Sequence, residues 1–381
     1  MMSDSLAPTP PMGWSSWNGF GSNINEGLIK GIADAMLTSG MKEAGYTYIN
    51  IDDHWHGGRG EDGILFPDPQ KFPSGMKALG DYIHSKGLKF GIYSDAGPKT
   101  CGGQPASQDH EEVDAQTFAA WGVDYLKYDY CHAPEDRASA ERLYKTMGDA
   151  LKATGRPIVF SICEWGQRRP WLWGRQAGGH LWRTTGDIGD SWGDSPCRWG
   201  FVLPGIDRIG FDFQRGLEQY AGPDGWNDPD MMIVGLKGKG FIPGGGCTDE
   251  EYRTHFSLWC LLAAPLMASC DLRSMDAVTR EILTNTEVIA LNQDPLGKQA
   301  GWVGAGEVWA KPLANGDLGV GLFNRSNDRT WVNAHWSNLG ISGKYQVRDL
   351  WQHADLGVFE NKFSAEIGPH ACVILRLSPR R

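Results

Sequence analysis

Short apolar stretches alternate with longer amphipathic segments along most of the chain. The short stretches are rich in β-branched and aromatic residues and end in polar loops, which is typical of buried strands. The longer segments place apolar residues at helical spacing and end at glycine, which indicates helices. This pattern predicts strands within 10–18, 46–53, 88–97, 123–131, 156–166, 180–190 and 225–235, a glycine-rich loop after residue 53, and helices within 74–87, 109–122, 134–155 and 248–269.

Repetition of the strand–helix unit predicts the architecture of the larger part of the chain. About eight such units in succession are typical of a (β/α)8 TIM barrel, which we expect at residues 1–298. A doubly wound sheet is the alternative, but no G-x-G-x-x-G motif follows the first strand. After residue 298 the pattern changes to strands joined by turn residues, beginning with "GEVWAKPLANGDLGVGLFN". We therefore expect a small C-terminal antiparallel β-sandwich domain at residues 299–381.

Charge and cysteine content exclude several classes of protein. The chain has 36 Lys and Arg against 46 Asp and Glu, a net charge of -10, and no cluster of basic residues. Nucleic acid is therefore not expected as a partner. No apolar run reaches the length of about 18 residues that a membrane span needs. The eight cysteines are dispersed without a C-x-x-C pair, which disfavours a zinc cluster.

The first residues bear on localisation. The stretch "MMSDSLAPTPPMG" lacks the basic start and apolar centre of a signal peptide. We expect a cytoplasmic protein, or an extracellular or periplasmic one if a signal peptide has been removed. The sequence leaves the oligomeric state open.

Polar and aromatic residues follow the end of every predicted barrel strand. In a (β/α)8 barrel the C-terminal ends of the strands surround one shared pocket. A single carboxylate at a strand end is usually only solvated, but this enrichment at every strand predicts a functional pocket. The residues concerned are Trp14, Trp17, Asp52, Asp53, Tyr93, Asp95, Lys127, Asp129, Cys163, Glu164, Trp165, Arg183, Asp187, Asp228 and Asp230.

Two kinds of pocket are compatible with these residues. His54 and His56 would suit a metal site, but the later strands end in "CEW" and "TGD" rather than in histidine. Carboxylates accept hydrogen bonds from sugar hydroxyls, indole rings pack on the apolar face of a pyranose, and a carboxylate pair can cleave a glycosidic bond. We therefore expect a carbohydrate site without a metal or another cofactor.

Eight motifs in order resemble one enzyme family along nearly the whole chain. They are "PPMGWSSWN", "INIDDHW", "DPQKFPSGMKALGDYIHSKGLKFGIYSDAG", "YLKYDYC", "CEWG", "WRTTGDIGDSW", "GWNDPDM" and "NQDPLGKQ". The chain thus resembles glycoside hydrolase family 27, the α-galactosidases and α-N-acetylgalactosaminidases. The resemblance implies a retaining exo-glycosidase that removes terminal α-linked galactose from small-molecule or oligosaccharide galactosides by double displacement.

The resemblance also assigns roles to individual residues. It implies that Asp129 of "YLKYDYC" is the nucleophile and that Asp187 of "DIGDSW" is the acid/base, and it pairs Cys101 with Cys131 in a disulfide. Asp52 and Asp53 match the pair that binds the 4- and 6-hydroxyls of galactose. The expected substrate-binding set is Trp17, Asp52, Asp53, Tyr93, Lys127, Cys163, Glu164, Trp165, Arg183 and Asp230.

The chain departs from the family pattern at two positions, and a third position bears on the choice of sugar. His54 stands where many animal members have a cysteine, and Gly179 occupies the position that would pair with Cys163, which predicts a free thiol. Glu164 occupies a place where relatives that accept an N-acetyl group have a small residue, which favours galactose over N-acetylgalactosamine.

Alternatives from the same and from other classes remain. A β-L-arabinopyranosidase is one, although members of that type alter the second aspartate of the pair and this chain keeps Asp53. An α-N-acetylgalactosaminidase, a non-catalytic sugar-binding protein and a metal-dependent barrel hydrolase are the others.

Overall fold

The computed structural model describes residues 5–197, 200–304 and 306–380. It contains a curled parallel sheet surrounded by helices, followed by antiparallel sheets, which confirms the predicted fold class. The first four residues of the stretch on which the localisation prediction rests lie outside the described residues. No helix in the described ranges combines the length and apolarity needed to cross a bilayer.

The strands and helices of the described residues are numbered in chain order. The strands are β1 (Met12–Ser15), β2 (Tyr48–Asn50), β3 (His56–Arg59), β4 (Leu65–Pro67), β5 (Lys89–Asp95), β6 (Tyr125–Asp129), β7 (Val159–Ile162), β8 (Leu181–Arg183), β9 (Ser195–Pro196), β10 (Val202–Leu203), β11 (Trp226–Asp228), β12 (Leu266–Ala268), β13 (Gly301–Trp302), β14 (Glu307–Pro312), β15 (Leu318–Phe323), β16 (Thr330–His335), β17 (Lys344–Asp349), β18 (Ala354–Glu360), β19 (Lys362–Ile367) and β20 (Cys372–Arg380). The α-helices are α1 (Trp17–Phe20), α2 (Glu26–Thr38), α3 (Gly75–Ser85), α4 (Glu111–Trp121), α5 (Arg137–Ala153), α6 (Asp249–Leu261), α7 (Ala277–Leu283) and α8 (Thr286–Asn292).

The barrel is an eight-stranded sheet in the order β11-β8-β7-β6-β5-β2-β1-β12. All neighbouring strands in it are parallel. A parallel bridge between Met232, just after β11, and Ala268 of β12 joins the two edges. Because all strands run the same way, their C-terminal ends meet at one rim, where the predicted site residues are placed.

Caps in the sequence set where several helices begin. The Thr248 side chain accepts the Glu251 N–H at the start of α6, and the Glu251 side chain accepts the Thr248 N–H in return. Asp136 accepts the Ser139 N–H at the start of α5. Such caps satisfy backbone N–H groups that have no partner within the helix, and each stabilises the helix by about 1 kcal/mol.

The structure contains a hairpin where the sequence predicts a loop. Strands β3 and β4 pair antiparallel directly after the Asp52–Asp53 pair. Arg59 in β3 donates hydrogen bonds to the carbonyl of Ala106 and forms an ion pair with Asp114, which are both distant in sequence. These long-range contacts stabilise the glycine-rich segment as a hairpin. The spacing of apolar residues along the chain does not predict them.

The C-terminal part is a sandwich of two antiparallel sheets. One has six strands in the order β13-β14-β15-β20-β17-β18, and the other pairs β16 with β19. The sandwich core contains buried aliphatic and aromatic side chains such as Val320, Leu322, Trp336 and Leu375. The exact boundary at residues 298 and 299 stays a prediction.

The sandwich packs against the barrel through helix α6, and most residues of that helix are buried. The helix contacts strands β14, β15 and β20. Next to it, the ring of His370 stacks on Trp192 with 4.3 Å between ring centroids, and His370 Nδ1 lies 2.6 Å from Glu251 Oε1. Trp192 belongs to the loop that follows β8, which also carries Asp187. The sandwich therefore contacts a loop of the predicted site.

Candidate active site

A cavity lined by both polar and apolar side chains opens inside the barrel at the C-terminal ends of its strands. Its size, about 30 Å³, leaves room for one or two water molecules below the rim. Because alternate residues of a strand face the same way, Lys127 of β6 points inward together with Asp129 two residues on. The cavity is lined by Ser15, Asn50, Ile51, Asp52, Tyr125, Lys127, Ser161, Cys163, Arg183, Asp228, Asp230, Met231 and Met267.

Asp129 lies at the end of β6, in register with Asp95 of β5. It is 6% exposed, and its Oδ1 has no hydrogen-bond partner among the described residues. Burial raises the pKa of Asp129 to about 6, against the opposing effect of the Lys127 ammonium, with a further upward contribution from Asp187. A buried carboxylate with an unoccupied oxygen, close to a second carboxylate, is suited to attack an electrophilic carbon.

Lys127 links several groups of the cavity. Its Nζ lies 2.8 Å from Asp52 Oδ2 and 5.2 Å from the centre of the Tyr93 ring. Burial lowers the pKa of Lys127, but the carboxylates of Asp52 and Asp129 outweigh burial and hold this pKa well above its usual value. Lys127 therefore stays positively charged and favours the ionised form of Asp129.

This electrostatic arrangement predicts the acid side of the pH profile. Since the attacking group must be ionised, kcat/KM is expected to fall as the pH drops through about 6, the pKa of Asp129. Replacing Lys127 by methionine removes the nearby cation, so the fall is expected to begin about one pH unit higher. The measurement is kcat/KM against pH for wild type and K127M. Lys77→Met, at a side chain that is 57% exposed, is the control. If kcat/KM of K127M falls over the same acidic pH range as that of wild type, Lys127 does not set the pKa of Asp129.

Arg183 holds a second group of acidic side chains. Its Nη2 lies 3.1 Å from Asp187 Oδ1 and 3.0 Å from Asp230 Oδ2, and its Nη1 lies 3.7 Å from the Cys163 sulfur. The Asp187 side chain is 43% exposed, whereas Asp230 is buried. Burial raises the pKa of Asp230 to about 7 although Arg183 opposes the rise. Asp187 therefore lies at the mouth of the cavity and Asp230 deeper inside.

Asp53 is fixed by backbone donors from two segments. Its Oδ1 accepts the N–H of His54 and its Oδ2 accepts the N–H of Gly102, both at 2.7 Å. The His54 ring is parallel to the half-buried Trp17 ring within 3°, with 6.2 Å between centroids. His56 instead packs on Trp55, and burial lowers the pKa of His56 to about 3. The two imidazoles thus pack against different rings.

Several predicted site residues lie outside the lining of this cavity: Trp17, Asp53, Tyr93, Asp129, Glu164, Trp165 and Asp187. Glu164 is fully buried, and its Oε2 accepts hydrogen bonds from the backbone and the guanidinium of Arg168 at 2.7 and 3.2 Å. Its Oε1 has no partner among the described residues, and burial raises the pKa of Glu164 to about 7. Trp165 lines a neighbouring surface depression together with Gln167 and Arg168.

The cysteines of the site occur in two states. Cys101 and Cys131 form a disulfide, and the Cys101 sulfur lies 3.4 Å from Asp129 Oδ2. Cys163 is buried and carries a free thiol, whose sulfur lies 3.7 Å from Arg183 Nη1.

The structure adds residues that the predicted substrate-binding set lacks. Asp228 and Ser15 line the cavity, and Asp95 is fully buried beside Asp129. Both aspartates are visible in the sequence as strand-end carboxylates. Gly102 gives no such signal, because it contributes only a backbone N–H.

The fold and the site together define a class of enzyme. A (β/α)8 barrel with carboxylate, lysine and arginine side chains at the C-terminal ends of its strands is an arrangement typical of glycoside hydrolases.

Similar proteins identify the family. Residues 9–294 match the family model described as alpha galactosidase A, and residues 303–377 match that of the alpha galactosidase C-terminal beta sandwich domain. The chain is 47% identical to alpha-galactosidase A of Cellvibrio japonicus, over 99% of this chain and 94% of that protein. It is 48% identical to alpha-galactosidase of Cyamopsis tetragonoloba, over 98% and 87%. The crystal structure of alpha-galactosidase I from Mortierella vinacea matches with a TM-score of 0.91 at 37% identity, over 98% of both chains. The chain belongs to glycoside hydrolase family 27, the melibiase family.

Proposed function

We propose that this α-galactosidase is a retaining exo-enzyme that hydrolyses terminal α-linked galactose from galactosides. The observation that carries the proposal is the pair formed by buried Asp129 and solvent-accessible Asp187 at one barrel rim. The relatives that match nearly the whole chain are α-galactosidases, which supports galactose as the sugar.

The first chemical step forms a bond between the enzyme and the sugar. Ionised Asp129 attacks the anomeric carbon, and the bond from that carbon to the leaving oxygen breaks. Asp187, which begins this step protonated, gives its proton to the leaving oxygen. Lys127 favours this reaction because it stabilises the charged form of Asp129 before the attack.

The second step releases the sugar. Asp187, now ionised, takes a proton from water, and the resulting hydroxide attacks the anomeric carbon. The ester bond to Asp129 breaks, and the two displacements together retain the configuration. Exposure of Asp187 at the cavity mouth supports this role, since water must reach it after the leaving group departs.

Recognition of galactose is assigned to Asp52, Asp53 and Trp17. Asp52 and Asp53 accept hydrogen bonds from the 4- and 6-hydroxyls, and Trp17 supplies an apolar face for the ring. Asp52 is paired with Lys127, and Asp53 is held by two backbone N–H groups, so both carboxylates are oriented before the sugar binds. Tyr93, with a buried hydroxyl that lacks a partner among the described residues, and Arg183 complete the set.

A panel of nitrophenyl glycosides tests the proposed activity. We expect turnover of the α-galactoside to exceed that of the β-L-arabinopyranoside and of the N-acetyl-α-galactosaminide, with α-galactose as the first product seen by NMR. A β-configured first product would rule out the retaining mechanism. Binding of galactose without turnover would favour a sugar-binding protein, and loss of activity with a chelator would favour a metal-dependent hydrolase.

The discrimination against N-acetylated sugars is assigned to Glu164. A buried carboxylate beside the 2-position accepts the hydrogen bond of a 2-hydroxyl and excludes an acetamido group by size and desolvation. Its unpartnered Oε1 supports this role, while the other oxygen is held by Arg168.

We expect Glu164→Ser combined with Gln167→Ala to reverse this preference. A hydrogen bond to a charged group is worth about 1.5–3 kcal/mol, so kcat/KM on the α-galactoside should fall about ten- to a hundredfold. Activity on the N-acetyl-α-galactosaminide should rise. Gln167→Ala alone, at an exposed position, is the control. If wild type already prefers the N-acetylated sugar, the galactose assignment is wrong, although the retaining mechanism would stand.

A further inference from the structure

Residues 96–107 form the first part of the loop between β5 and α4, and we call this segment the strap. It is fastened at its start, because the Asp95 carboxylate at the end of β5 accepts the N–H of Gly97 at 2.8 Å and that of Cys131 at 2.9 Å. The disulfide between Cys101 and Cys131 fixes its middle to the segment that follows Asp129. The strap is therefore tied to the end of the nucleophile strand.

At its tip the strap supplies a hydrogen bond to the recognition side of the cavity. The Gly102 N–H donates to Asp53 Oδ2 at 2.7 Å, while the His54 N–H holds Oδ1. Asp53 is only 1% exposed, and the His56 Nδ1 lies 3.7 Å from its Oδ1. With both oxygens directed by N–H groups, the remaining lone pairs of the carboxylate are oriented for a sugar hydroxyl.

Glycine at position 102 is required by packing. A Cβ atom there would lie 2.5 Å from Cε1 and Nε2 of His54 and 2.8 Å from Asp53 Oδ2. Real Cβ atoms do not approach other atoms so closely, so any side chain would displace either the imidazole or the recognition carboxylate. The next residue differs, since a Cβ at Gly103 would meet no atom within 4 Å.

We propose that Gly102 is a positioning residue for Asp53, and that the disulfide-anchored strap thereby sets the selectivity of the enzyme for sugars that carry a hydroxymethyl group. The inference rests on the proposed function, since it concerns the carboxylate that binds the galactose hydroxyls. It gives the disulfide a role in substrate recognition as well as in stability.

The test is a double-mutant cycle between Gly102 and Asp53. Gly102→Ala is expected to lower kcat/KM for the nitrophenyl α-galactoside about tenfold or more, mainly through KM, because a charge-assisted hydrogen bond becomes misaligned. The loss for the β-L-arabinopyranoside, which lacks the hydroxymethyl group, should be smaller. In the Asp53→Ala background the same substitution should lower kcat/KM clearly less than it does in wild type, because the carboxylate that it displaces is absent and only the contact with His54 remains. Losses that simply add would overturn the proposal.

Two further variants separate positioning from unfolding. Gly103→Asn, in the same strap and at a left-handed position that asparagine tolerates, should keep wild-type selectivity. If Gly102→Ala does not fold alone, it is measured together with His54→Ala, which removes the two shortest contacts. The double variant should fold and regain part of the lost activity. If wild type is active and the Gly102→Ala variant is folded with unchanged kcat/KM and selectivity, the inference is wrong, whereas the proposed function stands. A wild type without α-galactosidase turnover would refute the proposed function itself.

Discussion

Replacing Asp129 by alanine is expected to abolish hydrolysis of α-galactosides, with a loss in kcat of roughly 10⁴-fold or more. The ester between enzyme and sugar cannot form without this carboxylate, and the neighbouring acidic groups are already engaged. Asp52 is paired with Lys127, and Asp95 holds two backbone N–H groups. The measurement is steady-state turnover of an activated aryl galactoside, so that leaving-group departure does not limit the rate. Turnover near the wild-type rate would show that Asp129 is not the nucleophile.

Thermal unfolding distinguishes this loss from misfolding. The pKa of Asp129 is about 6 in the folded protein, above its ordinary value of 3.8, so ionisation of Asp129 at neutral pH disfavours the folded state. The alanine variant should therefore be at least as stable as wild type at pH 7. Asp349→Ala is a matched control in the sandwich, where one oxygen of the buried carboxylate accepts the N–H groups of both Trp351 and Gln352. That variant should lose stability and keep its activity.

Replacing Asp187 by alanine is expected to affect substrates unequally. A nitrophenolate departs without a proton, so the first step should survive partly, whereas an alkyl or sugar leaving group needs the acid. The loss should therefore be about 10²- to 10⁴-fold for poor leaving groups and much smaller for the first step with good ones. Since no base activates water, the galactosyl ester on Asp129 should accumulate, with a burst of nitrophenol and a mass increase of the protein.

External azide provides a second readout for Asp187, because it attacks the ester without a base. It should restore turnover of the Asp187→Ala variant and give an α-galactosyl azide. Asp194→Ala, in the same loop and with a side chain 40% exposed against 43% for Asp187, should behave as wild type. Equal losses for good and poor leaving groups without a trapped ester would rule out Asp187 as the acid/base.

The sequence predicts the fold well because the strands and helices follow a regular pattern. Alternation of strand and helix is enough to place Asp52, Lys127 and Arg183 at one rim of a barrel. The sequence pattern does not predict the hairpin β3–β4, because this hairpin depends on the ion pair between Arg59 and Asp114, which are far apart in sequence. The hydrogen bond from Arg168 to Glu164 likewise depends on side-chain geometry, which the spacing of apolar residues does not predict.

Local sequence patterns predict the roles of individual site residues less well than they predict the fold. Many carboxylates follow strands in this chain, and only the resemblance singles out Asp129 and Asp187 among them. The contribution of Gly102 comes from a backbone N–H and from the absence of a side chain. No residue-type pattern marks such a function, because it depends on where the strap lies relative to Asp53.

The position of helix α6 between barrel and sandwich has a consequence for engineering. A Cβ on Gly321 of the sandwich would lie 2.5 Å from Leu261 of α6, so the two parts are closely fitted there. Truncation after the barrel would expose the outer side of this helix and remove His370 from Trp192, in the loop that carries Asp187. Fusion of the barrel to another C-terminal domain would therefore require a new set of packing contacts on helix α6. The two parts, although they match separate family models, should therefore melt as one cooperative unit in calorimetry.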